Sequence, residues 1–240
     1  MADRFVNRAA FLAIASLVLL SCGGGSKGTL QAGPSTSAQL TTTSPASTLS
    51  TAISAERAKG ATLQLVDLPA GWKLQEPGEG LDLDIIWRDI TRCLGIDAAE
   101  ATPGGTSPTF LRGLATQAQS TVEYPTESTA GAIGGRLAGT QYQQCATGAF
   151  TDDVKRNAPE GGRLGPVSVV PLDVPHLGAR MFASRIRVDI SLDELKVPIY
   201  QDFLVVFTRQ AVIRFLFLNP GAAFPGDLEQ SLVATVVGRA

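Results

Sequence analysis

The sequence predicts an α+β fold, an antiparallel β-sheet packed with helices, in residues 61–240. Four extended segments rich in Val, Ile, Leu and Phe follow one another between residues 165 and 220, separated by Pro, Gly and charged residues. The segments "DLDIIWRDITRCLG" and "FPGDLEQSLVATVVGRA", before and after them, carry apolar residues three and four positions apart, as amphipathic helices do. Clustered strands with helices between and after them are typical of α+β proteins.

The composition is that of a globular protein. Of the 240 residues, 44% are hydrophobic and 18% are charged, and the formal net charge is -2. Lysine and arginine are scattered along the chain, so no basic stripe is available to neutralise a row of phosphates. The sequence therefore argues against nucleic acid as a partner.

The N-terminus has the pattern of a secretory signal peptide, residues 1–21. Arg4 and Arg8 precede an apolar segment, Ala9–Leu20, which reaches roughly 18 Å and is too short for a hydrocarbon core of about 30 Å. The residues that follow, Leu19-Leu20-Ser21-Cys22, resemble a bacterial lipobox. This resemblance implies that Cys22 carries acyl chains that anchor the protein to the extracytoplasmic face of the cell membrane. An ordinary secretory signal with an incidental cysteine is the alternative.

Residues 22–60 are predicted to be a flexible tether. No charged residue occurs from Gly28 to Ala55, and most of the segment is Ser, Thr, Ala and Pro, a composition that cannot bury enough apolar surface to fold. A flexible coil of this length reaches roughly 35 Å. The tether would hold a single domain, residues 61–240, away from the bilayer.

The elements of this domain are predicted in order. "ATLQLVDL" alternates loosely and predicts a first strand, and "DLDIIWRDITRCLG" predicts a helix that ends at Gly95. "TFLRGLATQAQSTVEYP" predicts two short strands, the second at Gln117–Tyr124. One helix is predicted in "TESTAGAIGGRLAGTQYQQCATGAF", where Gly131, Gly135 and Gly139 would form a bare face for close packing on the sheet.

The last two strands and the last helix have clear apolar patterns. In "FLVVFTRQAVIRFLFL" large apolar residues occupy successive positions, which favours central strands covered on both faces. An apolar groove for a lipid or acyl chain is the alternative interpretation. The final helix has an apolar stripe formed by Leu228, Leu232, Val233, Val236 and Val237.

Three cysteines occur in the chain. If Cys22 is lipidated, Cys93 and Cys145 remain in an oxidising compartment, and a disulfide between them is the predicted state. Two free thiols and a metal site are the alternatives.

Few residues are candidates for chemistry. His176 is the only histidine, and no serine elbow accompanies it, so we interpret it as a loop residue. Acidic neighbours such as Asp152 and Asp153 are interpreted as solvated charges, since adjacent side chains do not face one another. Trp72 follows a Pro-Ala-Gly turn and could line a binding cleft or cap the core. We predict no catalytic residue, metal ligand or cofactor.

Several short motifs resemble those of actinobacterial, mycobacterial-type envelope lipoproteins. They are "DLPAGW", a following "CLG", a helix with "QQC" near its end, and then "VPIYQDFLVVFTR" and "AVIRFLFL". They are also similar to the extracellular sensor domains of that group's receptor Ser/Thr kinases, whose relatives adopt a PsbP-like sandwich. The resemblance implies a PsbP-like sandwich and a ligand- or partner-binding, sensor-like module at the cell envelope.

The function predicted from the sequence is therefore non-enzymatic binding by a membrane-anchored lipoprotein. Its expected partners are the membrane, through the acyl chains on Cys22, and an envelope lipid, glycan or protein. A hydrolase or transferase of envelope material, and a docking subunit of an envelope complex, are the alternatives.

Overall fold

A computed structural model describes residues 56–76, 82–96, 104–158, 161–175, 177 and 180–240. All of them belong to one compact unit, Ser50–Ala240. The predicted signal peptide, Cys22 and the tether up to residue 55 lie outside the described residues. Residues 56–61 form a short helix in which Ala58 is fully buried, so the folded domain includes the last residues of the range assigned to the tether.

The described residues form four longer helices, one 3₁₀ helix at Leu65–Asp67 and nine strands. The helices are α1 Leu83–Cys93, α2 Glu127–Leu137, α3 Gln141–Arg156 and α4 Gly226–Arg239. The strands are β1 Trp72–Leu74, β2 Gly104–Thr106, β3 Phe110–Arg112, β4 Thr116–Glu123, β5 Arg163–Leu164, β6 Ser168–Pro171, β7 Arg180–Leu192, β8 Leu195–Phe207 and β9 Val212–Pro220.

All strand pairings are antiparallel, which confirms the predicted α+β class. The main sheet has the order β1-β3-β4-β9-β8-β7-β5; β2 also pairs with β4, and β6 also pairs with β7. The longest pairing joins β7 to β8, from Arg180–Phe207 to Leu192–Leu195. The described helices lie against the two faces of this sheet.

The first predicted strand, "ATLQLVDL", is wrong. Leu63 is buried, but Leu65 and Val66 are exposed, so the alternation that suggested a strand is not maintained. The Asp67 carboxylate accepts a hydrogen bond from the Gln64 backbone N–H at 2.8 Å, and this cap favours a 3₁₀ turn over an extended strand. The first strand of the described residues is β1, which begins at Trp72.

Residues 201–207 of β8 and residues 212–217 of β9 are buried on both faces, as predicted for these central strands. Phe203 and Val205 of β8 pack on the face that carries α1, α2 and α3, whereas Leu204 and Val206 pack on the face that carries α4. Strand β9 alternates in the same way, with Phe215 and Phe217 on the α4 face. Because Phe203, Phe215 and Phe217 are fully buried, they fill the core and do not line an open lipid groove.

Helix α1 confirms its prediction. The Asp82 side chain accepts a hydrogen bond from the Ile85 N–H at 3.0 Å and caps its start. Cys93, the last residue of α1, forms a disulfide with Cys145 of α3. The predicted disulfide is therefore confirmed, and the alternatives of free thiols and a metal site at these cysteines are wrong.

The predicted helix with a bare glycine face is instead two helices, α2 and α3, separated at residues 138–140. A Cβ atom added at Gly131 or Gly135 would have no atom within 4 Å, so these two glycines do not permit a close contact. Gly134 does permit a close contact, because a Cβ atom at this position would lie 2.7 Å from Nη1 of Arg180. The Arg180 Nη2 donates to the Gly134 carbonyl.

Alanine substitutions test this distinction. Gly131→Ala and Gly135→Ala are each expected to raise the free energy of unfolding by up to about 1 kcal/mol, because alanine favours the helix and its methyl group meets nothing. Gly134→Ala is expected to be less stable than both, because its methyl group displaces the Arg180 guanidinium. Urea unfolding measures the free energy of unfolding of each of the three variants. Equal values would contradict the assignment of Gly134 as the glycine that permits a close contact.

Opening the Cys93–Cys145 disulfide is expected to lower the free energy of unfolding by up to about 4 kcal/mol, because the bridge closes a loop with a sequence separation of 52. The measurement is urea unfolding of the wild type and of a Cys93→Ser, Cys145→Ser variant. An unchanged unfolding free energy would show that the bridge does not stabilise the domain.

Candidate functional site

Arg214 is a charged residue in the middle of the central strand β9. It faces the side of the sheet that carries α1, and only 1% of it is exposed. Its neighbours across the sheet are Val205 of β8 and Thr121 of β4. An arginine buried to this degree needs partners, because removing a charge from water without compensation costs several kcal/mol.

Two carboxylates and one aromatic ring surround the Arg214 guanidinium. Its Nη2 donates to Oε1 of Glu123 at 2.5 Å and to Oδ1 of Asp84 at 3.5 Å. The guanidinium carbon lies 4.9 Å from the ring centroid of Trp87 in α1, within the range of a cation–π contact. Burial lowers the pKa of Arg214, and the charges of Glu123 and Asp84 oppose this shift.

The compensation of Arg214 is incomplete. Its Nε is buried and has no hydrogen-bond partner among the described residues. A buried donor without an acceptor costs roughly 1–3 kcal/mol. The side chain thus retains a buried donor that is not satisfied.

A cavity of about 400 Å³ adjoins this cluster, and we call it the Arg214 pocket. Thr106 extends the polar wall: its hydroxyl donates to Oδ2 of Asp84 at 3.2 Å and lies 3.3 Å from the Thr121 hydroxyl. The pocket is lined by Asp84, Trp87, Gly104, Gly105, Thr106, Thr121, Glu123 and Arg214.

The pocket is assembled by the pairing of β2 with β4. This pairing sets Gly104 opposite Glu123 and Thr106 opposite Thr121. Gly105 lies against the short helix at residues 56–61, where a Cβ atom would approach the Lys59 backbone N to 2.6 Å. Only glycine fits there without displacing that backbone, so the helix at the start of the domain fixes the position of β2.

A second cavity, of about 380 Å³, lies between the start of α3 and strands β6 and β7. The Tyr142 hydroxyl lies 3.2 Å from the Ser184 hydroxyl at this cavity. Burial raises the pKa of Tyr142. Its lining combines apolar residues such as Val169, Leu172 and Phe182 with polar ones, and it includes no charged residue. The polar residues are Thr140, Tyr142, Gln143 and Ser184.

The opposite face of the sheet holds a buried carboxyl pair, Asp202 of β8 and Glu229 of α4. Arg185 of β7 donates to both oxygens of Asp202, at 2.7 and 2.8 Å. Burial and the neighbouring Asp202 raise the pKa of Glu229 to about 8. Asp202 is fully buried and Glu229 is 3% exposed, so a substrate has no access and the pair fastens α4 to the sheet.

The sequence-predicted residues lie elsewhere. Trp72 is 7% exposed and packs against Phe224, with ring centroids 6.2 Å apart. Of the two interpretations given to Trp72, this packing agrees with capping the core. Trp72 does not line the Arg214 pocket. Cys22 and His176 lie outside the described residues. Among the described residues, no three His, Cys, Asp or Glu side chains are grouped to hold a metal ion.

Arg214 and Glu229 are not among the residues predicted from the sequence, although the sequence carries a signal for each. Arg214 interrupts the apolar run "AVIRFLFL" in a strand predicted to be covered on both faces, where a charge requires partners. Glu229 lies three and four residues before Leu232 and Val233, on the apolar stripe of α4. The stripe itself is confirmed, with Leu232, Val233 and Val236 buried.

The fold and this pocket together define an α+β domain with a small polar cavity beside its central strands. The sequence matches no protein-family model and no curated protein. None of the helices in the described part of the chain is long and apolar enough to cross a membrane.

Two solved structures are weakly similar. PA94, a protein of unknown function from Pseudomonas aeruginosa, has 13% identity, covers 57% of this chain and 80% of its own, and gives a TM-score of 0.24. LpqN, which is involved in cell envelope biogenesis of Mycobacterium tuberculosis, has 14% identity, covers 72% of this chain and 75% of its own, and gives a TM-score of 0.27. The resemblance to PsbP-like proteins and to kinase sensor domains stays a prediction.

The Glu229–Asp202 pair predicts a pH-dependent stability. Because the folded-state pKa of Glu229, about 8, lies above its ordinary value of 4.5, the folded protein keeps a proton that the unfolded chain releases. The contribution of protonated Glu229 to the free energy of unfolding is complete below pH 4.5 and is lost as the pH rises through 8. Glu229→Gln cannot ionise, so its unfolding free energy should fall less over this range than that of the wild type.

Urea unfolding between pH 5 and 9 measures this effect, with the exposed Glu194→Gln as the matched control. The control should follow the wild-type profile. Parallel profiles for Glu229→Gln and the wild type would contradict the assignment.

Proposed function

We propose that this protein is a lipid-anchored lipoprotein of the cell envelope whose extracytoplasmic domain binds a small polar ligand, without transforming it, at the Arg214 pocket. The observation that carries the proposal is the pocket itself. A buried arginine, two carboxylates and a tryptophan from three different elements converge on one open cavity. A purely structural ion pair would need no such opening.

The proposed location rests on the chain's N-terminal pattern and on the disulfide. A charged start, a short apolar segment and Cys22 are the features of a lipoprotein signal. The Cys93–Cys145 disulfide is typical of proteins outside the cytoplasm, since cytosolic thiols are kept reduced. Both observations support an extracytoplasmic domain.

The proposed binding role rests on how the polar groups are arranged. Asp84 and Glu123 both accept hydrogen bonds from Arg214, so they act as fixed charges that can orient a ligand. Pockets of about 300–1,000 Å³ with a few placed polar groups are typical of small-molecule sites, and this cavity, at about 400 Å³, is within that range.

A docking role is the second candidate function. Leu65, Val66 and Leu74 are 43%, 84% and 55% exposed near the start of the domain, and exposed apolar side chains of this size can contribute to a protein interface.

For a hydrolase or transferase, the buried Asp202–Glu229 pair would be the natural acid and base, but solvent does not reach it.

Lipid anchoring is tested by metabolic labelling with an alkyne-tagged fatty acid in cells that make the full chain. We expect the wild type to carry the label and to sediment with membranes, because two or more acyl chains anchor a protein stably. Cys22→Ser should lose the label and the membrane association, whereas Cys93→Ser, Cys145→Ser should keep the label. A labelled Cys22→Ser protein would contradict the proposed anchor.

Ligand binding is tested by native mass spectrometry of the full-length protein, purified in detergent from its own cell envelope. We expect an additional non-covalent mass that Asp84→Asn reduces and Asp152→Asn does not. Asp84 lines the pocket, whereas Asp152 is an exposed residue of α3. A protein without added mass, or equal masses in both variants, would contradict binding at this pocket.

A further inference from the structure

We propose that an exposed apolar surface at the start of the folded domain, formed by Leu65, Val66 and Leu74, contacts the surface of the lipid bilayer to which the protein is anchored. We call this surface the apolar patch. The inference rests on the lipid anchoring in the proposed function. It adds a second membrane contact, which determines the side of the domain that faces the bilayer.

The side chains of the apolar patch are exposed and close together. Leu65, Val66 and Leu74 are 43%, 84% and 55% exposed. Leu65 and Leu74 line one cavity of about 460 Å³, and Val66 follows Leu65 in the same 3₁₀ helix. Leu63 and Phe110, each 1% exposed, also line this cavity. Single exposed apolar residues are common on protein surfaces, whereas a cluster of them around an apolar recess is typical of a contact surface.

The segment that carries the apolar patch is held in place by the last helix. Arg239 of α4 donates to both carboxylate oxygens of Asp67, at 2.8 and 2.7 Å, and to the carbonyl oxygen of Thr62 at 2.8 Å. These bonds fasten the chain on either side of Leu65 and Val66. A surface that is fixed in advance loses little conformational entropy when it makes a contact.

The apolar patch lies where the described domain meets the predicted tether. Glu56, the first described residue, lines the same cavity as Leu65 and Leu74. Lys59 of the same short helix lines it as well. The predicted tether and Cys22 precede this helix in the sequence. The patch is therefore at the end of the domain from which the chain leads to the proposed anchor.

The predicted tether would keep this end of the domain near the bilayer. A flexible coil from Cys22 to residue 55 has a root-mean-square reach of roughly 30 Å. A short flexible linker gives an attached surface an effective concentration in the millimolar range. A few apolar side chains that would bind a membrane too weakly in a free domain would therefore make a populated contact in the anchored protein.

The charges beside the apolar patch are balanced. Among the described residues that line the cavity, Glu56 and Lys59 are the charged ones. The contact therefore depends on the burial of apolar surface and not on attraction to anionic head groups. Lys59 is exposed, and its long stem allows the ammonium group to stay among the head groups while its methylene groups lie on apolar surface.

Two exposed apolar side chains outside the patch serve as controls. The strand order places β1 at one edge of the sheet, whereas β6 pairs with β7 near the other edge. Val170 of β6 is 47% exposed, and Leu195, the first residue of β8, is 61% exposed. If the domain had no preferred orientation, these two side chains would meet the bilayer as often as the patch does.

The contact is tested by NMR spectroscopy of the full-length protein, purified with its acyl chains and labelled with ¹³C in its Leu and Val methyl groups. The protein is placed in phosphatidylcholine nanodiscs that contain a lipid with a nitroxide on its acyl chain, which broadens the resonances of methyl groups near the bilayer. We expect the relaxation enhancement at Leu65, Val66 and Leu74 to be several-fold larger than at Val170 and Leu195. Adding phosphatidylglycerol should not change this pattern, because the charges at the cavity cancel.

A matched pair of variants tests the residues. Val66→Asp is expected to lower the relaxation enhancement at Leu65 and Leu74 several-fold, because a carboxylate is costly to insert among lipids. Leu195→Asp should leave it unchanged. Both positions are exposed, and unchanged resonances of the buried methyl groups would show that both variants are folded. Both variants should remain with the nanodiscs through their acyl chains.

Other outcomes would overturn this inference. Equal enhancement at the patch and at the controls would show that the bilayer is not the occupant and would leave the patch to a protein partner. Stronger enhancement at the controls would place the membrane contact elsewhere. Patch resonances that shift with the number of protein molecules per nanodisc, without broadening by the nitroxide, would identify a second copy of the chain. Each of these results leaves the lipid anchor intact, whereas a protein that does not stay with the nanodiscs would reject the anchor and the inference together.

Discussion

The burial of β8 and β9 on both faces is the constraint on which the rest of the structure depends. Phe203 and Val205 face one side, and Leu204 and Val206 face the other, so neither side of these strands can be left in water. One side is covered by α1, α2 and α3, and the other is covered by α4 together with the segment that follows the first short helix. The disulfide joins α1 to α3 within the first cover.

Both central strands nevertheless carry a charged residue, Asp202 in β8 and Arg214 in β9, and the two lie in different surroundings. Asp202 of β8 is sealed under α4, where Arg185 and Glu229 surround it. Arg214 of β9 points to the other side, where the cover is open beside Trp87 and a cavity of about 400 Å³ remains. One charge cluster therefore fastens a helix, and the other forms a site that an external molecule can enter.

Elements that depend on local periodicity could be predicted from the sequence, and elements that depend on distant contacts could not. Helices α1 and α4 and the two-sided strands follow from patterns within about fifteen residues. The separation of α2 from α3 and the role of Gly134, which faces Arg180, are set by packing. The candidate site is the extreme case, because Arg214 meets Glu123 and Asp84 across 91 and 130 residues of sequence.

The Arg214 side-chain Nε–H resonance, in the ligand-free full-length protein, tests the central claim most directly: that an arginine is buried in the central sheet beside the pocket. The account predicts slow solvent exchange of this proton at pH 7, because the Nε atom is buried. Arg92, whose side chain is 72% exposed, provides the fast-exchanging reference. Exchange of the Arg214 proton as fast as that of Arg92 would show that the arginine is solvated and would contradict the account.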